Sequence, residues 1–260
     1  VRRALALAVV ALAVARPAPV AAHAPPSEAT VDRYLKVTPM GDRIRLAYTI
    51  VFGQEPGRRV RPRLDRDRDR TVTDAEARPL GEDLARQVAT ALSLAVDDRT
   101  TPVTWARVEV GLGTPAVDAG ALSVDLIAYL CVGPGRHRLR LRDDLSLPDL
   151  GSTELTLESA AGVEVVARSL GGAPLTEDVT TWTGRGGPLA TGLDLTYQAG
   201  SDAARPRDGR CREGGGGARA ARVWLFLGAT AGGAAIAIAA RWLLARRRRP
   251  GASARPRPPG

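Results

Sequence analysis

From Arg43 to Phe52 apolar and polar residues alternate. Ile44, Leu46, Tyr48, Ile50 and Phe52 fall on one side of an extended chain, with mostly polar neighbours on the other. A period of two marks a half-buried strand. Pro39-Met40-Gly41-Asp42 reads as a turn, so Val31–Val37 and Arg43–Phe52 are predicted to form a hairpin. The period then changes. Leu80, Leu84, Val88 and Leu92 recur every fourth position and define the buried face of a helix from about Asp74 to Leu92. Pro79 lies in its first turns, where proline is tolerated best. Strand patterns return at Leu94–Val96, Val103–Val110, Leu122–Cys131, His137–Arg142, Leu155–Glu158, Val163–Ala167 and Leu193–Tyr197. Glycine-bearing turns such as Gly133-Pro134-Gly135 and Gly171-Gly172 separate them. Short strands at near-regular spacing predict a mainly β (α+β) fold, a β-sandwich-like domain with one inserted helix.

The pattern breaks at both ends. Arg2-Arg3, an apolar run from Ala4 to Ala15 and small residues around Ala21-Ala22-His23-Ala24 read as an export signal over residues 1–22. The apolar run is too short to span a bilayer. Val223–Ala240 is uncharged, and apolar character resumes at Trp242-Leu243-Leu244-Ala245, so residues 223–245 read as a single C-terminal transmembrane helix. Trp224 and Trp242 sit near its two ends, where interfacial aromatics are expected. Arg246-Arg247-Arg248-Arg249 opens a basic tail, residues 246–260, that the positive-inside rule places in the cytoplasm. Between these ends lie an exported β-rich domain, residues 23–198, and a Gly- and Arg-rich flexible tether, residues 199–222. The domain is long enough for one hydrophobic core. Together the devices predict a single-pass protein of the bacterial inner (cytoplasmic) membrane with its N-terminal domain outside.

That topology accounts for the charge. The formal net is +9, but six of the arginines follow Ala245, and Lys36 is the only lysine. The basic runs lack interleaved aromatics, so no nucleic-acid partner is expected. Anionic lipid headgroups are the simpler partner for the tail.

One stretch carries most of the chemistry: Asp65-Arg66-Asp67-Arg68-Asp69-Arg70-Thr71-Val72-Thr73-Asp74-Ala75-Glu76. Carboxylates fall at positions 1, 3, 5 and 12 of a twelve-residue loop, a carbonyl is due at Thr71, and Thr73 stands at position 9. This is the ligand spacing of an EF-hand calcium loop. A hard divalent cation takes roughly six to eight oxygens, which a short chain supplies by winding around the ion. Asp65, Asp67, Asp69, Thr71, Thr73 and Glu76 are therefore the candidate Ca²⁺ ligands. Thr73-Asp74-Ala75-Glu76 is also a capping box, and the two readings are compatible. Arg70 stands at position 6, where glycine normally makes the sharp turn, and Arg66, Arg68 and Arg70 oppose a cation. Weak affinity is expected, on the order of 10⁻⁴–10⁻³ M.

Other residues leave alternatives open. Cleavage before His23 would expose an amine and an imidazole able to chelate copper, with His137 the only other imidazole. His137 shares a strand face with Leu139 and Leu141, which favours a structural role. Cys131 and Cys211 are the only cysteines, free to form an internal disulfide, a bridge between two copies, or none. Gly228-Ala229-Thr230-Ala231-Gly232 is a GxxxG face suited to self-association in a membrane. No nucleophile elbow, phosphate loop or catalytic triad pattern is present. The carboxylates of Asp143-Asp144 and Glu154/Glu158 read as solvated pairs, so no enzymatic activity is expected.

The order of features resembles the exported N-terminal domain of some nickel/cobalt transporter family members. The residues that carry the likeness are His23-Ala24-Pro25, Arg33-Tyr34, the Asp65–Glu76 loop, Leu94-Ala95-Val96-Asp97-Asp98, Gly133-Pro134-Gly135-Arg136-His137-Arg138-Leu139 and Arg142-Asp143, within roughly residues 22–168. Such transporters have many membrane helices and a His/Asp-bearing helix that handles metal. This chain has one candidate span, with no histidine in it. The resemblance therefore implies a tethered exported domain beside a membrane transporter or another membrane partner, not a chain that transports by itself. The resulting expectation is a membrane-anchored calcium-binding module. An accessory role in nickel, cobalt or copper transport, and a scaffold with an empty acidic loop, are the alternatives.

Overall fold

The computed structural model describes residues 28–184, 187–203 and 211. The predicted hairpin forms as β1 (Val31–Pro39) and β2 (Arg43–Phe52), paired antiparallel with Pro39 opposite Ile44. Two helices follow, α1 (Gln54–Leu64) and α2 (Asp74–Ala91), and then the remaining strands: β3 (Leu92–Val96), β4 (Arg99–Thr100), β5 (Trp105–Gly111), β6 (Leu122–Cys131), β7 (Gly135–Asp143), β8 (Leu150–Leu157), β9 (Val163–Leu170), β10 (Ala173–Pro174), β11 (Val179–Thr183) and β12 (Leu193–Ala199). They make two six-stranded sheets, ordered β11-β8-β1-β2-β6-β5 and β10-β9-β12-β7-β3-β4. β1 and β8 run parallel. The fold is β-rich, as the alternating pattern predicts.

Each sheet turns its apolar set inward. Ile44, Leu46, Tyr48 and Ile50 of β2 are fully buried, as are Leu139 and Leu141 of β7 and Leu195 and Tyr197 of β12. The sheets are also joined by a buried ion pair. Arg33 Nη1 of β1 donates to Asp143 Oδ2 of β7 at 2.8 Å, and Tyr48 Oη donates to the same oxygen at 2.8 Å. Burial, then the Asp143 charge, raises the Tyr48 phenol well above its ordinary pKa, so it stays a neutral donor. Asp143 is therefore no solvated carboxylate. Glu158 does face solvent, where it pairs with Lys36 at 2.5 Å.

Among the described residues there are two α-helices where one was predicted. The additional helix, α1, stands between β2 and the acidic loop. Its buried face is Pro56, Gly57, Arg61 and Leu64, at helical spacing but carrying a proline, a glycine and a charge, so it does not register as an apolar stripe. By contrast α2 shows the predicted face: Leu84, Val88 and Leu92 are buried and Leu80 half-buried. α2 packs on β5 and passes straight into β3, its C-cap Leu92 N–H bonding Val88 O. Trp105 Nε1 of β5 donates to Ala85 O at 2.8 Å. A Cβ at Gly81 would stand 2.9 Å from Val110 Cγ2, so glycine there permits the close helix–strand approach.

The domain continues beyond residue 198. Ala199 and Ala203 are buried in the main core, and Cys211 is disulfide-bonded to Cys131 at the end of β6. Of the cysteine readings left open, the internal bridge is the one found. It ties the middle of the expected tether, at Cys211, to the end of β6. The expected signal, transmembrane helix, GxxxG face and basic tail lie outside the described residues. Among those described, no helix is long and apolar enough to cross a membrane.

Candidate metal centre

Helix α1, the loop 65–76 and α2 form a helix–loop–helix unit. At its exit, Thr73 is the N-cap of α2: its side chain accepts from Glu76 N–H, and the Glu76 carboxylate reaches back to Thr73 N–H at 3.0 Å. Glu76 Oε1 also accepts from Arg66 N–H at 2.8 Å, closing the loop's start onto its end. These donors push the Glu76 carboxyl down to about 2. The Thr73 N–H contributes most, then the Arg66 N–H and the Thr73 hydroxyl. The capping box and the acidic loop share one carboxylate, as the spacing allows.

Within the loop the aspartates fold the chain around themselves. Asp67 Oδ1 accepts from Asp69 N–H (3.2 Å), Asp69 Oδ1 from Thr71 N–H (2.7 Å), and Asp65 Oδ2 from Arg70 N–H (3.2 Å). Arg68 and Arg70 take positive φ, 61° and 69°. The position-6 turn thus forms with arginine in place of glycine, at a cost of roughly 1–2 kcal/mol for each such residue.

One carboxylate oxygen from each of Asp65, Asp67 and Glu76 lies within 4.8 Å of the others. Asp65 Oδ1 is buried and has no hydrogen-bond partner. An unsatisfied buried carboxylate oxygen is costly, and a cation held between Asp65 and the neighbouring Asp67 and Glu76 carboxylates would relieve it. Hard oxygen donors suit Ca²⁺ or Mg²⁺ over softer metals. Asp69 lies outside this trio. Its Oδ1 is committed to the Thr71 amide, while Thr73 is committed to the cap.

The back of the loop is supported by a segment that sequence reasoning did not single out. Val72 N–H donates to Pro115 O at 2.7 Å and Val117 N–H to Arg70 O at 3.1 Å, a single antiparallel bridge between Thr71 and Ala116. Val72 is fully buried in a small cluster with Leu64, Ala77 and Leu112. Arg61 of α1, also fully buried, donates to the carbonyls of Gly120, Thr114, Ala116, Leu112 and Ala121. All five guanidinium N–H groups are used. Arg61 lies among Arg58, Arg59 and Arg63; only its offset of four from Gly57 and three from Leu64 hints at burial.

His137 is engaged elsewhere. Its Nδ1 lies 2.8 Å from Asp97 Oδ2 and its Nε2 2.8 Å from Gly133 O, with the Tyr197 ring at 5.6 Å. Burial opposes ionisation of Asp97, but the Arg138 N–H and His137 outweigh it and hold that carboxyl below its usual range. Both imidazole nitrogens are thus spoken for, which favours the structural reading of His137. The candidate copper ligand His23 lies outside the described residues.

No protein-family model matches the chain, and no curated protein matches it.

Proposed function

We propose that the chain is a non-enzymatic calcium-binding module, exported and anchored in a membrane through residues 223–245, in which the ion stiffens the junction between two helices. One observation carries this reading: the unpartnered, buried Asp65 Oδ1 beside the Asp67 and Glu76 carboxylates. The helix–loop–helix order, the positive φ at Arg70 and the loop-closing role of Glu76 support it. Asp65, Asp67 and Glu76 would hold the ion, with the other Asp69 oxygen and the Thr71 carbonyl as further donors, while the Thr73 hydroxyl serves the cap and reaches the ion only through a bridging water. The Cys131–Cys211 disulfide supports an oxidising compartment outside the cytoplasm.

The three intervening arginines limit affinity. Arg70 leans toward Asp118, 3.9 Å away, which draws one guanidinium aside. Calorimetric titration of the full chain with CaCl₂ should show one site with a Kd on the order of 10⁻⁴–10⁻³ M. The double variant Asp65→Ala/Glu76→Gln should lose that heat. A wild-type chain that gives no calcium-dependent heat at millimolar Ca²⁺ overturns the reading.

A further inference from the structure

Fixing the acidic loop takes more than its own twelve residues. The hydrogen bonds Val72 N–H to Pro115 O and Val117 N–H to Arg70 O flank Thr71 on one side. In an extended chain successive main-chain groups point to opposite sides. The pairing therefore turns the N–H and C=O of Thr71 away from residues 115–117 and into the loop, where the N–H meets Asp69 Oδ1 at 2.7 Å. The carbonyl expected to bind the cation is thus aimed by a segment outside the loop.

That segment is itself held by the entry helix. The Arg61 guanidinium binds five carbonyls between Leu112 and Ala121, a stretch whose ends lie in or beside β5 and β6. Gly57, one turn earlier on the same face, sits so close that a Cβ would lie 2.1 Å from Gly120 O. Val72 completes the join, packing with Leu64 of α1, Ala77 of α2 and Leu112.

We infer that residues 112–121 are the built-in partner segment of the cation loop, and that Arg61 is a positioning residue which sets the loop's affinity by fixing that segment. This rests on the calcium reading above. It explains how a lone loop with two positive-φ arginines keeps its shape, and it makes binding at Asp65–Glu76 and ordering of residues 115–117 one equilibrium.

Two variants and one measurement on the unaltered protein test it. Val117→Pro deletes the N–H that bonds Arg70 O and puts an apolar ring where the valine side chain packs against the Val72 cluster. Ala116 before it is already extended (φ −60°, ψ 134°), and Val117 begins a 3₁₀ turn, so proline is accommodated. Arg61→Lys keeps the charge but cannot span five carbonyls. Calcium titration of the full chain, at a temperature where each variant is folded by circular dichroism, should show Kd raised about tenfold in either variant. A merely structural role would lower the melting temperature in chelator and leave Kd alone. In the wild-type full chain, saturating Ca²⁺ should slow amide exchange at Val72 and Val117 by at least about fivefold. Variant Kd values within about twofold of wild type, or unchanged exchange at those amides in a chain that binds calcium, would overturn the inference while sparing the calcium reading. A wild-type chain silent to calcium ends both.

Discussion

Replacing Asp143 by alanine should be among the most damaging single changes in the sandwich. Asp143 is 3% exposed and Arg33 4%. Asp143 accepts from Arg33 and Tyr48 at Oδ2, and from Leu145 N–H at Oδ1 at 2.9 Å. Alanine removes all three bonds. Arg33 would keep only Thr153 Oγ1 at 3.2 Å and the long contact to Leu145 O at 3.5 Å, too little for a guanidinium out of water. Breaking a buried pair from one side costs about 3–5 kcal/mol. Tyr48→Phe deletes one bond to the charged acceptor and should cost less, about 1.5–3 kcal/mol. The assay is equilibrium unfolding in guanidinium chloride with the disulfide intact, followed by tryptophan fluorescence. The double change Arg33→Met/Asp143→Leu should be far less damaging than the sum of its single changes, since no lone charge is left inside. An Asp143→Ala cost below about 1 kcal/mol, or simple additivity in the cycle, would refute the reasoning.

Two further outcomes follow from the geometry. Gly57→Ala should destabilise the chain by about 1–3 kcal/mol despite alanine's better helix propensity, because the obstacle is the main chain of Gly120; denaturant melts check it, and a stabilised variant would contradict the close approach. The Glu76 carboxyl is lowered from 4.5 to about 2 in the folded chain, so its contribution is fully present above pH 4.5 and fades as pH falls toward about 2. Acid titration with and without Glu76→Gln should show that the variant loses this pH dependence, whereas identical profiles would mean that the cap bonds do not form in solution.

The sequence was most legible where one physical signal dominated. Apolar alternation located β2, the strand pattern gave β6 with the bounds predicted, and the four-residue repeat located the face of α2. β8 starts earlier than its apolar run, at Leu150, because its polar front half is satisfied across the parallel pairing with β1. Asp32 Oδ1 accepts from the Ser152 N–H and hydroxyl, both at 2.9 Å, and Thr153 accepts from Arg33. β11 is an edge strand with mostly exposed residues and no inward apolar set to betray it. For the candidate site, the carboxylate spacing pointed to Asp65, Asp67, Asp69 and Glu76; the fold brings Asp65, Asp67 and Glu76 together and leaves Asp69 outside the group. Its support was not legible. A buried arginine reads like its solvated neighbours until the five carbonyls around it are known, and the partner segment's contribution is main chain, which side-chain patterns do not encode.

The central claim is that Asp65, Asp67 and Glu76 converge on one hard cation. Its most direct test is a crystal of the protein grown in about 10 mM CaCl₂, a concentration above the affinity range expected for such modules. The account predicts a strong ion peak between the three carboxylates, with oxygens at roughly 2.3–2.6 Å and Asp65 Oδ1 among them. Clear density for the loop with no ion, and those carboxylates bonded only to main-chain amides, would contradict it.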